Sequence, residues 1–292
     1  MSALELLDPG FVARLEALRR RLVVRASAGL GGERSSRRRG ASADFAEHRP
    51  YSPGDDLRRI DWAAFARSGE PVLKLFRAEE DALVRLAVDT SASLEGPKLD
   101  HAVRLAAALG YLALAAGERV QLVPFADAPA EGPAPSRGRR AVPALFQALS
   151  ELTARGATDL SRGLEPALSA RRPGLLLVLS DFLDRAGFEG PLRRACAAGH
   201  EVALVQVLAP EELDPALEGD LVLEDSETGD AVELTLDARA LAAYRARLGA
   251  LFAALRGFAR THRAGYVRAL TDRPLEDAVL RVLDHAVEEP WT

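Results

Sequence analysis

The segment Leu175–Leu179 is aliphatic at every position and runs directly into Ser180-Asp181. A strand with one wet face alternates apolar and polar side chains. An unbroken aliphatic run of this length is suited to burial on both faces, as in a parallel sheet covered by helices. Leu83 to Val88, Val120 to Phe125, Val202 to Leu208 and the shorter Tyr266 to Leu270 read as further strands. Helical patterns fall between and after them, over Lys98 to Ala116, Val142 to Ala154, Leu160 to Ala170, Arg185 to Ala198, Ala238 to His262 and Leu275 to Val287. Strands that alternate with helices at this interval imply right-handed crossovers and an α/β fold with a doubly wound, mostly parallel sheet. With 48% apolar residues in 292, there is ample material for its core.

The chain before residue 81 reads differently. Phe11, Val12, Leu15, Leu18 and Leu22 have helical spacing over Pro9 to Val24, and a Gly-, Ser- and Arg-rich mobile loop follows. Ser52-Pro53-Gly54-Asp55 is a turn signal, after which Asp55 or Asp56 can cap a helix reaching about Arg67, with Trp62 and Phe65 packed inward. Pro71 to Arg77 is expected as an edge strand leading by a hairpin into the buried strand at Leu83. The expected organisation is therefore an N-terminal extension over 1–80 packed on the core and a sheet domain over 81–292. A β-hairpin insertion at about 220–236 is expected on a sheet edge.

Bulk properties exclude several classes. Lys and Arg number 38 against 43 Asp and Glu, and a net charge of −5 argues against a dedicated nucleic-acid binder. The basic run Arg37-Arg38-Arg39, within the loop 34–39, is the only feature that favours nucleic acid or an acidic partner, and no aromatic interleaves it for stacking. A purely structural scaffold role is the bland alternative. The single cysteine, Cys196, rules out an internal disulfide and a cysteine-rich zinc site, and reads as a small packed residue. No stretch reaches the roughly 20 apolar residues of a membrane-spanning helix, and the N-terminus lacks a signal-peptide pattern. The expectation is a soluble, cytoplasmic protein.

Chemistry concentrates where strands end. The strand Leu83 to Val88 finishes in Asp89-Thr90-Ser91-Ala92-Ser93, which puts a carboxylate and two hydroxyls on one tight loop. Thr158, in Gly156-Ala157-Thr158-Asp159, offers another hydroxyl, with Asp159 able to cap the helix behind it. Asp181 places a second carboxylate at a strand terminus. In open α/β sheets the ligand crevice lies beyond the carboxyl ends of the strands, and hard cations such as Mg²⁺ or Mn²⁺ take oxygen ligands of this kind. A haloacid-dehalogenase phosphatase would need an acid two residues after the strand-end Asp. Here that position is Ser91, which cannot serve as that acid near neutral pH. A serine hydrolase would need a Gly-x-Ser-x-Gly elbow, which Ser91 and Ser93 lack. A binding module, and not an enzyme, is expected.

Asp89, Ser91 and Ser93 in D-x-S-x-S, Thr158 in G-x-T and the strand-end Asp181 resemble the metal-ion-dependent adhesion site of von Willebrand factor A domains. The resemblance implies direct coordination by Ser91 and Ser93. It further implies that Asp89, Thr158 and Asp181 act directly or through water, and that an acidic group of a protein partner completes the shell. This chain departs from the pattern at Phe182, where many such domains carry Gly. Upstream, Phe45, Arg49, Tyr51, Pro53-Gly54-Asp55-Asp56, Arg58 and Ile60-Asp61-Trp62, followed by Ala66-Arg67, Lys74 and Glu79, resemble the bacterial family catalogued as domain of unknown function 58. That resemblance implies a partnership with a MoxR-type AAA+ ATPase, as an adaptor or co-chaperone. Arg37, Arg38, Arg39, Arg49, Tyr51, Asp55 and Arg58 are the candidate partner-binding residues. The charges around Arg49 and Asp55 can equally serve as ion pairs that fasten the segment in place.

Overall fold

The structure, a computed structural model, describes residues 8–27, 45–52, 55, 60–76, 83–128, 130, 132–169, 173–184, 186–215 and 219–284. Two compact units emerge, Met1–Val23 with Ala82–Thr292, and Val24–Asp81, so the extension expected over 1–80 is divided between them. The basic residues Arg37, Arg38 and Arg39, together with Arg58, lie outside the described residues.

In chain order the elements are α1 (Pro9–Ser27), β1 (Phe45–Pro50), α2 (Trp62–Ser68), β2 (Val72–Phe76), β3 (Leu83–Asp89), α3 (Pro97–Ala115), β4 (Arg119–Phe125), β5 (Ser136–Arg137) and α4 (Val142–Ser150). After two short helical turns, Leu160–Gly163 and Glu165–Leu168, come β6 (Leu175–Ser180), α5 (Glu189–Ala197), β7 (Glu201–Leu208) and the turn Pro210–Leu213. The last elements are β8 (Gly219–Glu224), β9 (Ala231–Leu236), α6 (Ala238–His262), β10 (Gly265–Leu270) and α7 (Leu275–Leu283).

The larger unit is a mixed α/β fold around a six-stranded sheet of order β10-β7-β6-β3-β4-β5, parallel except for the short edge strand β5. Alternation along each strand feeds two cores. Leu86, Val88, Leu177, Leu179, Val205 and Val207 face one side, where α3, α4, α7 and the N-terminal part of α1 cover them. Ala87, Leu176, Val178, Val202, Leu204 and Tyr266 face the other, beneath α5, α6 and the turns at Leu160 and Ala167. Burial on both faces is why these strands carry no polar alternation; each fully buried aliphatic side chain contributes about 1.5–3 kcal/mol. Among the described residues, no helix is long and apolar enough to cross a membrane.

The connection from β3 through α3 leads to β4 on one side, whereas β6 lies on the other side of β3. The strand order reverses between β3 and β6, the place where open α/β sheets bind their ligands, beyond the carboxyl ends of the strands. Gly163 lets the first helical turn approach the end of β4: a Cβ there would meet the Phe125 side chain at 2.6 Å.

Several expectations are corrected. The strand β2 pairs antiparallel with β1, which has no counterpart in the periodicity reading, and forms a separate two-stranded sheet rather than an edge of the main one. Helix α2 begins at Trp62 and is capped by Asp61, whose Oδ1 accepts from the Ala63 and Ala64 amides at 3.0 Å each. Asp55 instead closes its own turn, accepting from the Ser52 amide at 2.9 Å and from Arg49 at 2.6 Å. Trp62 is 61% exposed and packs edge-on to Phe65, so the expected inward packing fails. The helix expected over 160–170 breaks into two turns at Leu164, and that expected from Arg185 starts at Glu189. The β8–β9 hairpin is a sheet of its own and adds no strand to the edge of the large one.

Candidate metal centre

Asp89 is the last residue of β3 and is fully buried. Its Oδ1 accepts from the Ser91 amide at 2.9 Å, which tightens the loop, and its Oδ2 accepts from Ser180 Oγ at 2.6 Å. Ser180 Oγ in turn accepts from the Phe182 amide at 2.9 Å, so the ends of β3 and β6 are tied through one hydroxyl. Phe182 adopts φ 61°, a left-handed conformation that costs a non-glycine residue about 1–2 kcal/mol. The ring offsets that cost by burial against Phe188, 6.1 Å away and edge-on. This is how the chain tolerates Phe where Gly was expected.

Two backbone bonds join a third segment to the same rim. The Ala92 amide donates to the Gly156 carbonyl and the Arg155 amide to the Thr90 carbonyl, each at 2.8 Å. Thr158 follows two residues later, buried, and Asp159 caps the helical turn behind it through the Arg162 amide at 2.9 Å. The loops carrying Asp89, Ser91 and Ser93, Thr158, and Asp181 thus meet at one end of the sheet. Ser91 Oγ and Ser93 Oγ are 3.0 Å apart.

Asp181 is fully buried and does not cap a helix. Its Oδ1 accepts from the Leu183 amide at 3.1 Å and its carbonyl from Gln206 Nε2 at 3.1 Å. Its Oδ2 accepts from Lys98 Nζ at 3.0 Å, and Lys98 also donates to Glu212 Oε1 at 2.7 Å. Burial works against the Lys98 charge, but the Asp181 and Glu212 carboxylates outweigh it and hold the ammonium above its ordinary value. Among the described residues, no cation pairs with Asp89 in this way. Burial, and then the negative charge of Asp181, push its carboxyl up to about 7 against the hydrogen bonds from Ser180 and Ser91.

Sequence reasoning missed Lys98, Ser180, Gln206 and Glu227. A lysine in the first turn of a helix opposes the helix dipole, and a glutamine inside an aliphatic strand needs a buried partner; both were readable signals. Ser180 and Glu227 carried none. Glu227, in the turn of the β8–β9 hairpin, accepts from Thr158 Oγ1 at 2.8 Å.

The donor set fits a hard divalent cation. It offers only oxygens, and two neighbouring ligands of an octahedral Mg²⁺ at about 2.1 Å are separated by about 3.0 Å, the spacing of the Ser91 and Ser93 hydroxyls. Asp89 and Asp181 repel one another, and the Lys98 ammonium stands against that repulsion at Asp181. Among the described residues, no three His, Cys, Asp or Glu side chains gather as a metal cluster, so any ion here depends on the hydroxyls. Of the other candidate binding residues, Arg49, Tyr51 and Asp55 belong to the smaller unit. Arg49 and Asp55 form an exposed ion pair, and the Tyr51 amide donates to the Pro71 carbonyl at 2.9 Å. Solvent screens an exposed pair of this kind, so it fastens little. Cys196 is half-buried against the second core, and burial raises its thiol pKa, as an inert packed residue requires.

A family model described as "Protein of unknown function DUF58" matches residues 47–251. The uncharacterized protein Rv1480 of Mycobacterium tuberculosis is 34% identical over 257 residues, covering 82% of this chain and 80% of that protein. The uncharacterized protein Mb1516 of Mycobacterium bovis matches to the same extent. Among solved structures, the conserved hypothetical protein BatB from Bacteroides thetaiotaomicron overlaps 70% of this chain and 98% of that one, with a TM-score of 0.46 and 16% identity. An aerotolerance-related membrane protein from Bacteroides fragilis overlaps 69% and 96%, with a TM-score of 0.42 and 15% identity. At these TM-scores neither neighbour carries an inference about this chain.

Proposed function

This chain belongs to the family described as protein of unknown function DUF58, and from that premise we propose that it is a binding module, not an enzyme, whose crevice beyond β3 and β6 holds Mg²⁺ or Mn²⁺ and docks an acidic group of a protein partner. The observation that supports the reading is that the loops carrying Asp89, Ser91 and Ser93, Thr158, and Asp181 come to one end of the sheet, where the Ser91 and Ser93 hydroxyls lie 3.0 Å apart. Ser91 and Ser93 are the direct ligands, with Asp89, Thr158 and Asp181 in contact with the ion or its waters. When bound, the ion supplies a positive charge for a carboxylate to meet. The rest of the work is done by the chain: Ser180 orients Asp89, and Lys98 holds Asp181. Both oxygens of Asp89 are engaged in hydrogen bonds, which suits a fixed ligand better than a general base. In this reading the site is von Willebrand factor A-like, and the partner is a MoxR-type AAA+ ATPase in the cytoplasm, with this chain as adaptor in the assembly of a client complex.

Calorimetric titration of Mg²⁺ into the parent and into Asp89→Ala tests the site. Heat of binding in the parent and its loss in the variant are expected; equal responses would remove the reading. A pull-down from the native host, with and without nucleotide, tests the partner, and recovery of no AAA+ ATPase in either condition would end that part.

A further inference from the structure

The β8–β9 hairpin contributes to neither core of the large sheet. Its strands bond to each other, most of its side chains face solvent, and Val222 and Val232 are 65% and 58% exposed. Its tip, by contrast, is well defined. Asp225 Oδ1 accepts from the Glu227 amide at 2.9 Å and the Thr228 amide at 3.2 Å. Gly229, at φ 73°, donates to the Asp225 carbonyl at 2.7 Å, and the Asp225 amide bonds the Asp230 carbonyl at 2.8 Å. This turn delivers Glu227 to the rim, half-buried between exposed neighbours, where its carboxylate accepts from the Thr158 hydroxyl at 2.8 Å.

We propose that Glu227 is the chain's own acidic ligand for the metal centre, occupying the position that a partner's carboxylate must take, so that an acidic partner binds by displacing the hairpin tip. The inference rests on the metal-site reading above. An element that buries little apolar surface opens at low cost, which suits a displaceable cover. A carboxylate held on a preformed turn competes at high effective concentration, and it lowers the apparent affinity of an external acid by the fraction of molecules in which the site is covered. By linkage, an ion that binds Glu227 must order the tip to the same extent that the tip strengthens the ion.

The full-length chain, Glu227→Gln and Asp89→Ala are compared by Mg²⁺ calorimetry and by amide hydrogen exchange at residues 226–229. A short peptide bearing a single glutamate carboxylate serves as the probe on the Mg²⁺-loaded proteins. Mg²⁺ is expected to slow exchange at the parent's tip by roughly tenfold and to leave the Glu227→Gln tip unchanged, while the peptide binds Glu227→Gln roughly tenfold tighter than the parent. If parent and Glu227→Gln bind Mg²⁺ alike, exchange alike at the tip and bind the peptide alike, while Asp89→Ala has lost Mg²⁺, the hairpin proposal is overturned and the metal site stands. If the parent itself does not respond to Mg²⁺, the metal-site reading fails and takes the hairpin proposal with it. Circular dichroism of the three proteins separates either result from loss of the fold.

Discussion

Asp89→Asn is the perturbation whose effect follows most directly from the buried geometry. In the metal-free protein the Asp89 carboxyl is raised from 3.8 to about 7, chiefly by burial and then by Asp181. The folded-state value lies above the unfolded one. Between about pH 4 and pH 7 the folded chain therefore keeps a proton that the unfolded chain has released, and stability falls as pH rises through that window. The slope is about 1.4 kcal/mol per pH unit, and the accumulated cost by pH 8 is about 4 kcal/mol. Asp89→Asn keeps an oxygen for the Ser91 amide and carries no charge, so it is free of that slope. Urea denaturation of both proteins from pH 4 to 8, without metal, reads the difference. The variant is expected to gain on the parent progressively between pH 4 and 7, then hold a constant lead. Mg²⁺ should recover the parent at pH 8 and leave the variant unmoved. A difference that is flat with pH, or that grows in the parent's favour, would refute the burial and charge argument.

Lys98→Met leaves the Asp181 carboxylate buried without its ammonium, and a loss of about 3–5 kcal/mol is expected in urea at neutral pH; unchanged stability would show that the pair holds nothing. Phe182 is strained and buried at once, so Phe182→Gly is expected to retain about 1 kcal/mol more stability than Phe182→Ala despite removing more of the side chain. Thermal unfolding decides the order. Gly163→Ala drives a methyl into Phe125 and should destabilise by about 1–3 kcal/mol, with Mg²⁺ affinity measured by calorimetry falling as the Thr158 loop shifts.

Burial periodicity is a local property, and it determines most of the large unit from the sequence alone. The aliphatic runs at Leu83, Val120, Leu175 and Val202 had to be strands buried on two faces, and Asp89 and Asp181 had to stand at their ends. Asp159 as a cap was legible for the same reason, since a cap and its amides lie three residues apart. The smaller unit was less legible. Choosing Asp61 over Asp55 as the cap of α2, or pairing β2 with β1, depends on where the chain turns and which register wins, and neither is encoded in one strand's alternation. The contacts that define the rim were beyond reach altogether: Lys98 meets Asp181 across 83 positions and Thr158 meets Glu227 across 69. Composition and spacing name the groups that can ionise or donate. Only the folded chain, by removing water and setting those groups side by side, decides that the Asp89 carboxyl is raised, that Asp181 has a lysine, and that the hairpin's glutamate reaches the threonine.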